Sequence, residues 1–147
     1  MAKDTFNLER AKSPEEVGVS SKEIVEFLRD MKENKLAELS LDFSVDIINL
    51  VKFLKSNHES IISNQIGRSG TSIGANIYEA QYAQGKKDFI SKLEIALKEA
   101  SETGYWLELL YRTKYIDEQT FKGLSSKCTS LRAMLIASCR TAKENAK

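Results

Sequence analysis

Four polar side chains lie on one side of a predicted helix that covers about residues 59–83. Arg68, Ser72, Asn76 and Glu79 fall within about 80° of one another when successive residues advance by about 100°. They flank an apolar stripe, and polar groups at such a boundary are usually half-buried and hydrogen-bonded to a neighbouring helix. A guanidinium can donate two parallel hydrogen bonds to a carboxylate. The candidate partners on the next predicted helix are Glu94, Glu99 and Glu102.

This polar cluster allows two interpretations. The first is a structural network that fixes the register of two packed helices. The second is a site for a ligand, a partner or general acid–base chemistry. The only histidine, His58, lies at a predicted helix junction, where we expect it to cap a helix. Because the carboxylates have no partner base, we favour the structural network and predict no catalytic residues.

The cysteines also fail to suggest a metal or redox centre. Cys128 and Cys139 lie eleven residues apart on one predicted helix, a separation of roughly 16 Å. A disulfide needs Cα atoms within about 7 Å of each other, so these two cannot pair within that helix. One histidine and two distant thiols do not make a zinc site, and the Glu-x-x-His repeats of di-iron bundles are absent. We therefore predict no metal, no cofactor and no enzymatic activity.

The third predicted helix is apolar on two sides. Its predicted core stripe consists of Phe89, Leu93, Leu97, Ala100, Gly104, Leu107 and Tyr111. A second apolar cluster contains Ile95, Trp106, Leu109 and Leu110, with Glu99 and Glu102 interleaved. A helix that is apolar on two sides is buried on two sides, and an exposed tryptophan among aliphatic residues is typical of an interface. We therefore predict an oligomer interface, with coverage by an N-terminal helix as the alternative. The predicted interface residues are Ile95, Glu99, Glu102, Trp106 and Leu109.

The last part of the chain is basic although the whole chain carries a net charge of only +1. From Lys114 onward there are seven lysines and arginines against three acidic residues, a local charge of +4. Such a surface can bind a phosphate backbone, whereas the simpler interpretation is a solvated helix face. The predicted nucleic-acid-binding residues are Lys122, Lys127, Arg132, Arg140 and Lys143.

The apolar periodicity predicts helices throughout the ordered part of the chain. The only proline is Pro14, so nothing after it interrupts a long helix. A capping box at Ser20 and Glu23 predicts a short accessory N-terminal helix that ends near residues 32–35, and four long amphipathic helices follow, the last one capped by Asp117. Short turns between long helices make antiparallel neighbours. We predict an all-α fold, an antiparallel up-and-down four-helix bundle over residues 36–147, with an arm and the accessory helix over residues 1–35.

Three glycines lie inside the second long helix at Gly67, Gly70 and Gly74. Each costs up to about 1 kcal/mol relative to alanine in a helix interior, so this helix needs tertiary support. Small residues at this spacing predict that another helix approaches closely. A glycine-rich phosphate loop requires a preceding strand, and the sequence predicts none.

The sequence predicts a cytoplasmic protein. Residues 1–20 lack the apolar run of a signal peptide. No stretch approaches the roughly 20 apolar residues that span a membrane, so we expect no membrane association. Two unpaired cysteines suit a reducing compartment.

The motifs of the second and third helices resemble a known family. Residues 65–80 read QIGRSGTSIGANIYEA, residues 87–96 read KDFISKLEIA, and Glu99 and Glu102 follow. They resemble the four-helix-bundle proteins encoded within 23S rRNA intervening sequences, to which the accessory variability determinant proteins of diversity-generating retroelements are related. The resemblance covers roughly residues 36–145. The signature positions that carry over are Arg68, Ser72, Asn76, Glu79, Glu94 and Glu102, whereas Tyr78 and Ala80 stand where the family usually has alanine and glycine.

The resemblance implies a non-enzymatic bundle that assembles into a ring-like homo-oligomer, often a pentamer, with a positive surface for RNA or DNA. For the retroelement relatives it also implies a reverse transcriptase as partner. We therefore expect an oligomeric accessory protein that binds nucleic acid or a nucleoprotein partner. The alternative is a protein–protein interaction scaffold with no nucleic-acid role. Salt dependence separates the two, because phosphate binding weakens steeply as salt rises.

Overall fold

The computed structural model describes Gly18 and residues 20–145. Within these residues the chain forms four α-helices and no β-strand, which confirms the predicted all-α class. The predicted arm lies outside the described residues except for Gly18. The helices are α1 (Ser21–Ser56), α2 (Ile61–Gln81), α3 (Lys86–Arg112) and α4 (Glu118–Asn145).

Helix α1 begins at the predicted capping box. The Ser20 N–H donates to Glu23 Oε2 at 2.8 Å, and the Glu23 N–H donates to Ser20 Oγ at 3.2 Å. The helix then continues without interruption through residues 32–36, so the predicted accessory helix is the first part of α1 and not an element of its own. The polar residues there were mistaken for a break, although lysine and glutamate are good helix formers and no glycine or proline lies in α1.

The chain divides into two compact units, residues 1–34 and 35–147. In the first unit, the apolar side chains of Phe27, Leu28 and Met31 are exposed. The second unit contains the bundle and its core.

Side-chain contacts within residues 35–147 follow the chain order and close the bundle. Between α2 and α3, Thr103 Oγ1 donates to Ser69 Oγ at 2.8 Å. Between α3 and α4, the Cys128 thiol donates to the Ala100 carbonyl at 3.2 Å. Between α4 and α1, Lys127 Nζ pairs with Asp46. These contacts, with short turns between the helices, confirm the predicted up-and-down four-helix bundle.

The glycines of α2 lie close against α1. A Cβ atom built on Gly70 would lie 2.8 Å from Ile47 Cγ1, and one on Gly67 would lie 3.2 Å from Val51 Cγ2. At Gly74 the nearest atoms are the hydroxyls of Ser40 and Ser44, both at 3.3 Å. The predicted close helix contact is therefore confirmed, and its partner is α1.

The buried stripe of α3 is rotated relative to the predicted one. Its buried residues are Leu93, Ala96, Ala100, Thr103, Leu107 and Leu110. Leu110 is fully buried in the core, so its assignment to the second apolar face was wrong, whereas Tyr111 is 36% exposed and stacks on Phe121 at a centroid distance of 4.6 Å. The predicted stripe left out Thr103, which is buried with its hydroxyl bonded both to Ser69 Oγ and to the Glu99 carbonyl of its own helix at 2.8 Å. A polar residue in the core shifts the stripe away from the purely apolar spacing.

The start of α2 is capped by a glutamate and not by the histidine. Glu59 accepts three backbone hydrogen bonds, at 3.0 Å from Ile61, 2.9 Å from Ile62 and 2.7 Å from Ser63. His58 makes the turn instead, with a left-handed φ of 63°. The expected capping role of His58 is confirmed, but at the C-terminus of α1: the His58 N–H donates to the Lys55 carbonyl at 3.1 Å and the Glu59 N–H to the Leu54 carbonyl at 2.9 Å. Asp117 caps α4 as predicted, because its Oδ1 accepts from the Thr120 N–H at 2.7 Å.

Candidate oligomer and nucleic-acid surfaces

Arg68 joins α2 to α3 through two carboxylates. Its Nη1 lies 3.1 Å from Glu99 Oε2, and its Nη2 pairs with Glu102. The predicted partners Glu99 and Glu102 are confirmed. Glu94 is not a partner, because it lies on the opposite side of α3 and pairs with Lys143 of α4 at 2.7 Å. One guanidinium therefore ties the α2–α3 seam at two successive turns of α3.

The pKa values of Arg68 and Glu102 are both shifted in the direction that keeps their salt bridge ionised. Burial raises the pKa of Glu102, but the hydrogen bond from Arg68, the interaction with Glu99 and the positive charge of Arg68 together outweigh it, so the pKa lies below its ordinary value. The hydrogen bond to Glu102 in turn raises the pKa of Arg68. A carboxylate that stays ionised beside a guanidinium is a salt bridge and not a poised acid or base. The geometry favours the structural interpretation of the polar cluster.

The other polar residues of α2 complete this seam. Ser72 Oγ donates to the Arg68 carbonyl at 2.6 Å, and Asn76 Nδ2 donates to the Ser72 carbonyl at 2.8 Å. Glu79 pairs with Lys92 of α3 at 2.8 Å. Ser72 and Asn76 thus bond to their own helix, whereas Arg68 and Glu79 bridge to α3.

The predicted oligomer interface lies along the same seam. We define the α3 face as Ile95, Glu99, Glu102, Trp106 and Leu109, which fall within about 80° on the helix. Ile95 is 40% exposed, and Trp106 and Leu109 are half-buried. The indole N–H of Trp106 points toward Glu102 without reaching hydrogen-bonding geometry, and it is the one buried side-chain polar atom without a partner in the described part of the chain. The α3 face is therefore half-covered by its own bundle.

The predicted basic residues of α4 separate into two groups. Three are held by carboxylates of the same chain: Lys122 by Glu118 at 3.0 Å, Lys127 by Asp46, and Lys143 by Glu94. Arg132 and Arg140 are exposed, and neither takes part in an ion pair of residues 20–145. We define the α4 basic face as the four residues within about 80° of one another, which are Lys122, Arg132, Arg140 and Lys143. Lys127 lies on the opposite side of α4, toward α1.

An exposed apolar stripe on α1 was missed by the sequence analysis. Leu41, Val45 and Ile48 are 66%, 54% and 43% exposed and lie opposite the buried side of α1. We call these three residues the outer stripe of α1. Tyr78 of α2 and Tyr82 directly after its end are also exposed, with ring centroids 5.1 Å apart. The signal was present in the sequence, because the three residues follow the four-and-three spacing of one helix side.

Comparison with known proteins identifies the family. A model of the family "23S rRNA-intervening sequence protein" matches residues 32–137. The chain belongs to this family. A crystal structure of a protein of unknown function from the S23 ribosomal protein family of Bacteroides thetaiotaomicron is similar, with 51% sequence identity and a TM-score of 0.73 over 74% of this chain and 98% of that chain. The comparison with curated proteins gave no match.

The 23S rRNA-intervening sequence protein family match covers the whole α2–α3 seam. It includes the outer stripe of α1 and most of α4, but Arg140 and Lys143 lie beyond its last matched residue. The resemblance inferred from Arg68 and its neighbouring motif is thereby confirmed. The relation to retroelement proteins stays a prediction.

Three further observations on this family member concern metal ligands, membrane-spanning helices and grooves. The described residues contain no group of three or more side chains suited to hold a metal ion. Among the described helices, none combines the length and apolar character that crossing a bilayer requires. An open groove of about 1030 Å³ lies between α1 and the α3–α4 turn, where Phe53 and Tyr115 line it. It does not include the carboxylates of the α2–α3 seam.

Proposed function

We propose that the protein is a non-enzymatic accessory protein that assembles into a homo-oligomer and binds nucleic acid, or a nucleoprotein partner, through its α4 basic faces. The observation that supports it most directly is the pair of exposed arginines, Arg132 and Arg140, on one side of α4. Because one chain carries a net charge of only +1, its own affinity for phosphate is weak. An oligomer presents several α4 basic faces to one nucleic acid, which raises the overall affinity without new kinds of contact.

The arginines are the strongest phosphate ligands on this face. A guanidinium binds a phosphate through two parallel hydrogen bonds. Arg132 and Arg140 can do so without first breaking an ion pair within the chain. Lys122 and Lys143 first have to break their ion pairs with Glu118 and Glu94. The free-energy cost is small, because an exposed ion pair contributes only about 0–1 kcal/mol.

Removing the two arginines tests nucleic-acid binding. We expect the double variant Arg132→Ser/Arg140→Ser to bind a labelled RNA or DNA duplex at least about tenfold more weakly at low salt. The slope of log affinity against log salt should fall by about 1.8, since each lost phosphate contact contributes about 0.9. Fluorescence anisotropy over a salt series measures both quantities.

The matched control for this experiment is Lys55→Ser/Lys98→Ser, which removes the same charge from exposed positions of α1 and α3. Lys127 is left unchanged because it pairs with Asp46, so its loss would perturb the contact between α4 and α1. Equal binding by the two double variants would contradict the proposed role of the α4 basic face.

The proposed homo-oligomer contact on the α3 face has its own test. We expect Ile95→Asp to reduce the molar mass of the assembly, because it places a charge at an apolar position of a surface that needs to be desolvated. Ile136→Asp on α4 is a close control, since the two isoleucines are 40% and 41% exposed. Light scattering of both variants measures the effect, and an unchanged mass for Ile95→Asp would remove the α3 face from the proposal.

Further details of the assembly come from the family resemblance. A ring of five subunits and, for a retroelement-type member, a reverse transcriptase partner are predictions on that basis. We also propose a cytoplasmic location, supported by the buried and unpaired thiols of Cys128 and Cys139.

A protein–protein interaction scaffold is the second candidate function. The observation that favours it is that three of the five predicted basic residues are already neutralised within the chain. Apolar docking hardly responds to salt, whereas phosphate binding weakens steeply. Binding to a physiological partner that is unchanged across the salt series, with no retention of RNA or DNA, would select the scaffold.

A further inference from the structure

We propose that the outer stripe of α1 is an antiparallel dimer contact, in which the α1 helices of two copies pack side by side across a two-fold axis at Val45. This contact rests on the proposed function in one respect only, which is that both require the chain to associate with a second copy of itself. It uses a surface separate from the α3 face and the α4 basic face, so it can stand if either of those fails.

The spacing of the outer stripe is that of a coiled-coil seam. Glu38, Leu41, Val45, Ile48 and Lys52 follow one another at intervals of three, four, three and four residues. This 3.5-residue average keeps all five on one side of α1, within about 80°, and is the repeat that packs one helix against another. The core of the bundle uses the other side of α1, where Phe43 and Ile47 are fully buried. Helix α1 therefore presents a second seam with no partner among the described residues.

The ends of this seam are charged in a complementary way. Glu38 and Lys52 are both exposed, and neither takes part in an ion pair of the described residues. Each lies seven residues from Val45, one before it and one after it. An antiparallel copy centred on Val45 therefore places Glu38 of each chain opposite Lys52 of the other. The stripe is self-complementary, as an isologous contact requires.

The same charges disfavour the parallel arrangement. Two parallel α1 helices in register would place Glu38 opposite Glu38 and Lys52 opposite Lys52, and like charges in contact are destabilising. In the antiparallel arrangement, the apolar centre is flanked by two oppositely charged pairs. Leu41 of one copy then lies level with the turn that contains Ile48 of the other.

The neighbouring tyrosines enlarge the surface that a second copy can cover. Tyr78 lies one helical turn after Gly74, which contacts Ser40 and Ser44 of α1, so Tyr78 and Tyr82 flank the α1–α2 contact on its outer side. Three apolar residues of α1 and two tyrosines are few compared with the roughly 20–30 residues a side of a standard interface. A contact of this size is small, so we expect a weak dimer with a dissociation constant in roughly the micromolar range.

Disulfide trapping tests the geometry directly. A residue on a two-fold axis meets itself, so Val45→Cys should form a covalent dimer on mild oxidation of the full-length chain. Leu41→Cys alone should not, because its nearest copy lies about eight residues along the axis, or roughly 12 Å, beyond disulfide reach. A mixture of Leu41→Cys and Ile48→Cys chains should form the mixed dimer.

The native cysteines should not form competing disulfides in this experiment. Cys128 and Cys139 are buried, and burial raises the pKa of the Cys128 thiol to about 11, so it is poorly reactive. Ile61→Cys, at a side chain that is 77% exposed at the start of α2, measures random collision. Trapping of Val45→Cys no faster than Ile61→Cys would overturn the proposal, and so would equal trapping of Leu41→Cys and Val45→Cys, which is the parallel result.

A charge exchange supplies the second test. In the Val45→Cys background, Glu38→Lys should slow trapping by about tenfold, because two attractive pairs become repulsive. Adding Lys52→Glu to the same chain should restore the original rate. No effect of Glu38→Lys, or no restoration, would contradict the antiparallel register.

These outcomes are separable from the proposed function. If Ile95→Asp leaves the mass unchanged while Val45→Cys is trapped, the α3 face fails and the α1 contact stands. If the wild-type chain forms an oligomer that binds nucleic acid but Val45→Cys is not trapped, the α1 contact fails and the proposed function stands.

Discussion

Replacing Gly70 by alanine should destabilise the bundle by about 2 kcal/mol, the opposite of what helix propensity alone predicts. The new Cβ would lie 2.8 and 2.9 Å from Cγ1 and Cγ2 of Ile47, which is fully buried. These atoms are attached directly to Cβ of a β-branched residue and cannot swing away. Overpacking of this kind costs typically about 1–3 kcal/mol, more than the gain of up to about 1 kcal/mol from removing a helical glycine. Urea unfolding of the variant measures the change.

Gly104→Ala is the matched control, because nothing lies within 4 Å of a Cβ at that position of α3. It should stabilise the protein by up to about 1 kcal/mol. Ile47→Ala, although destabilising by itself, should cancel most of the additional penalty of Gly70→Ala in the double variant. A Gly70→Ala chain that is as stable as Gly104→Ala would show that the α1–α2 contact is looser than described.

Replacing Glu59 by alanine should lower the free energy of unfolding by about 2–3 kcal/mol. The Glu59 carboxylate accepts hydrogen bonds from the backbone N–H groups of Ile61, Ile62 and Ser63, and the residue is only 7% exposed. Hydrogen bonds to a charged group contribute about 1.5–3 kcal/mol, and a negative charge at a helix N-terminus is further stabilised by the helix dipole. The loss leaves three backbone donors at the start of α2 without their acceptor.

Two further variants separate the causes. Glu59→Gln keeps one acceptor oxygen and removes the charge. Its free energy of unfolding should therefore lie between those of the wild type and Glu59→Ala. Glu118→Ala removes a glutamate from the start of α4, where the carboxylate is exposed and pairs only with Lys122, and it should cost no more than about 0.5 kcal/mol. Equal effects of the alanine substitutions at Glu59 and Glu118 would show that the hydrogen bonds of Glu59 contribute little.

Local signals predicted most of the fold. The capping box at Ser20 and the Asp117 cap involve residues three apart, so they depend on nothing distant in the chain. The glycines of α2 indicated a close helix contact because each is unfavourable in an isolated helix. What the sequence could not provide was the partner, since any of the other helices could have faced these glycines.

The errors in the fold have a common physical cause. The rotation of the buried stripe of α3 accompanies the burial of Thr103, whose hydroxyl bonds to the Glu99 carbonyl of its own helix and to Ser69 of α2. A pattern of apolar residues does not include a threonine whose hydroxyl bonds back to its own helix and can therefore be buried. The continuity of α1 was missed for a related reason, because a polar segment ends a stripe without ending a helix.

The candidate surfaces were predicted in part. The partners of Arg68 were narrowed to three carboxylates, of which Glu99 and Glu102 face it and Glu94 faces α4. The five basic residues of α4 were identified by sequence distance, which does not show that Lys127 turns toward Asp46. The outer stripe of α1 was overlooked because only one apolar stripe, the one that packs into the core, was expected on this helix.

The molar mass of the purified full-length chain, measured by light scattering over a range of concentrations, tests the central claim of assembly most directly. We expect a mass of two or more chains of 16.6 kDa each. This mass should fall when Ile95→Asp or Glu38→Lys is introduced. A constant mass of one chain at every concentration, with the same value for all variants, would contradict both the summed basic surface and the α1 contact.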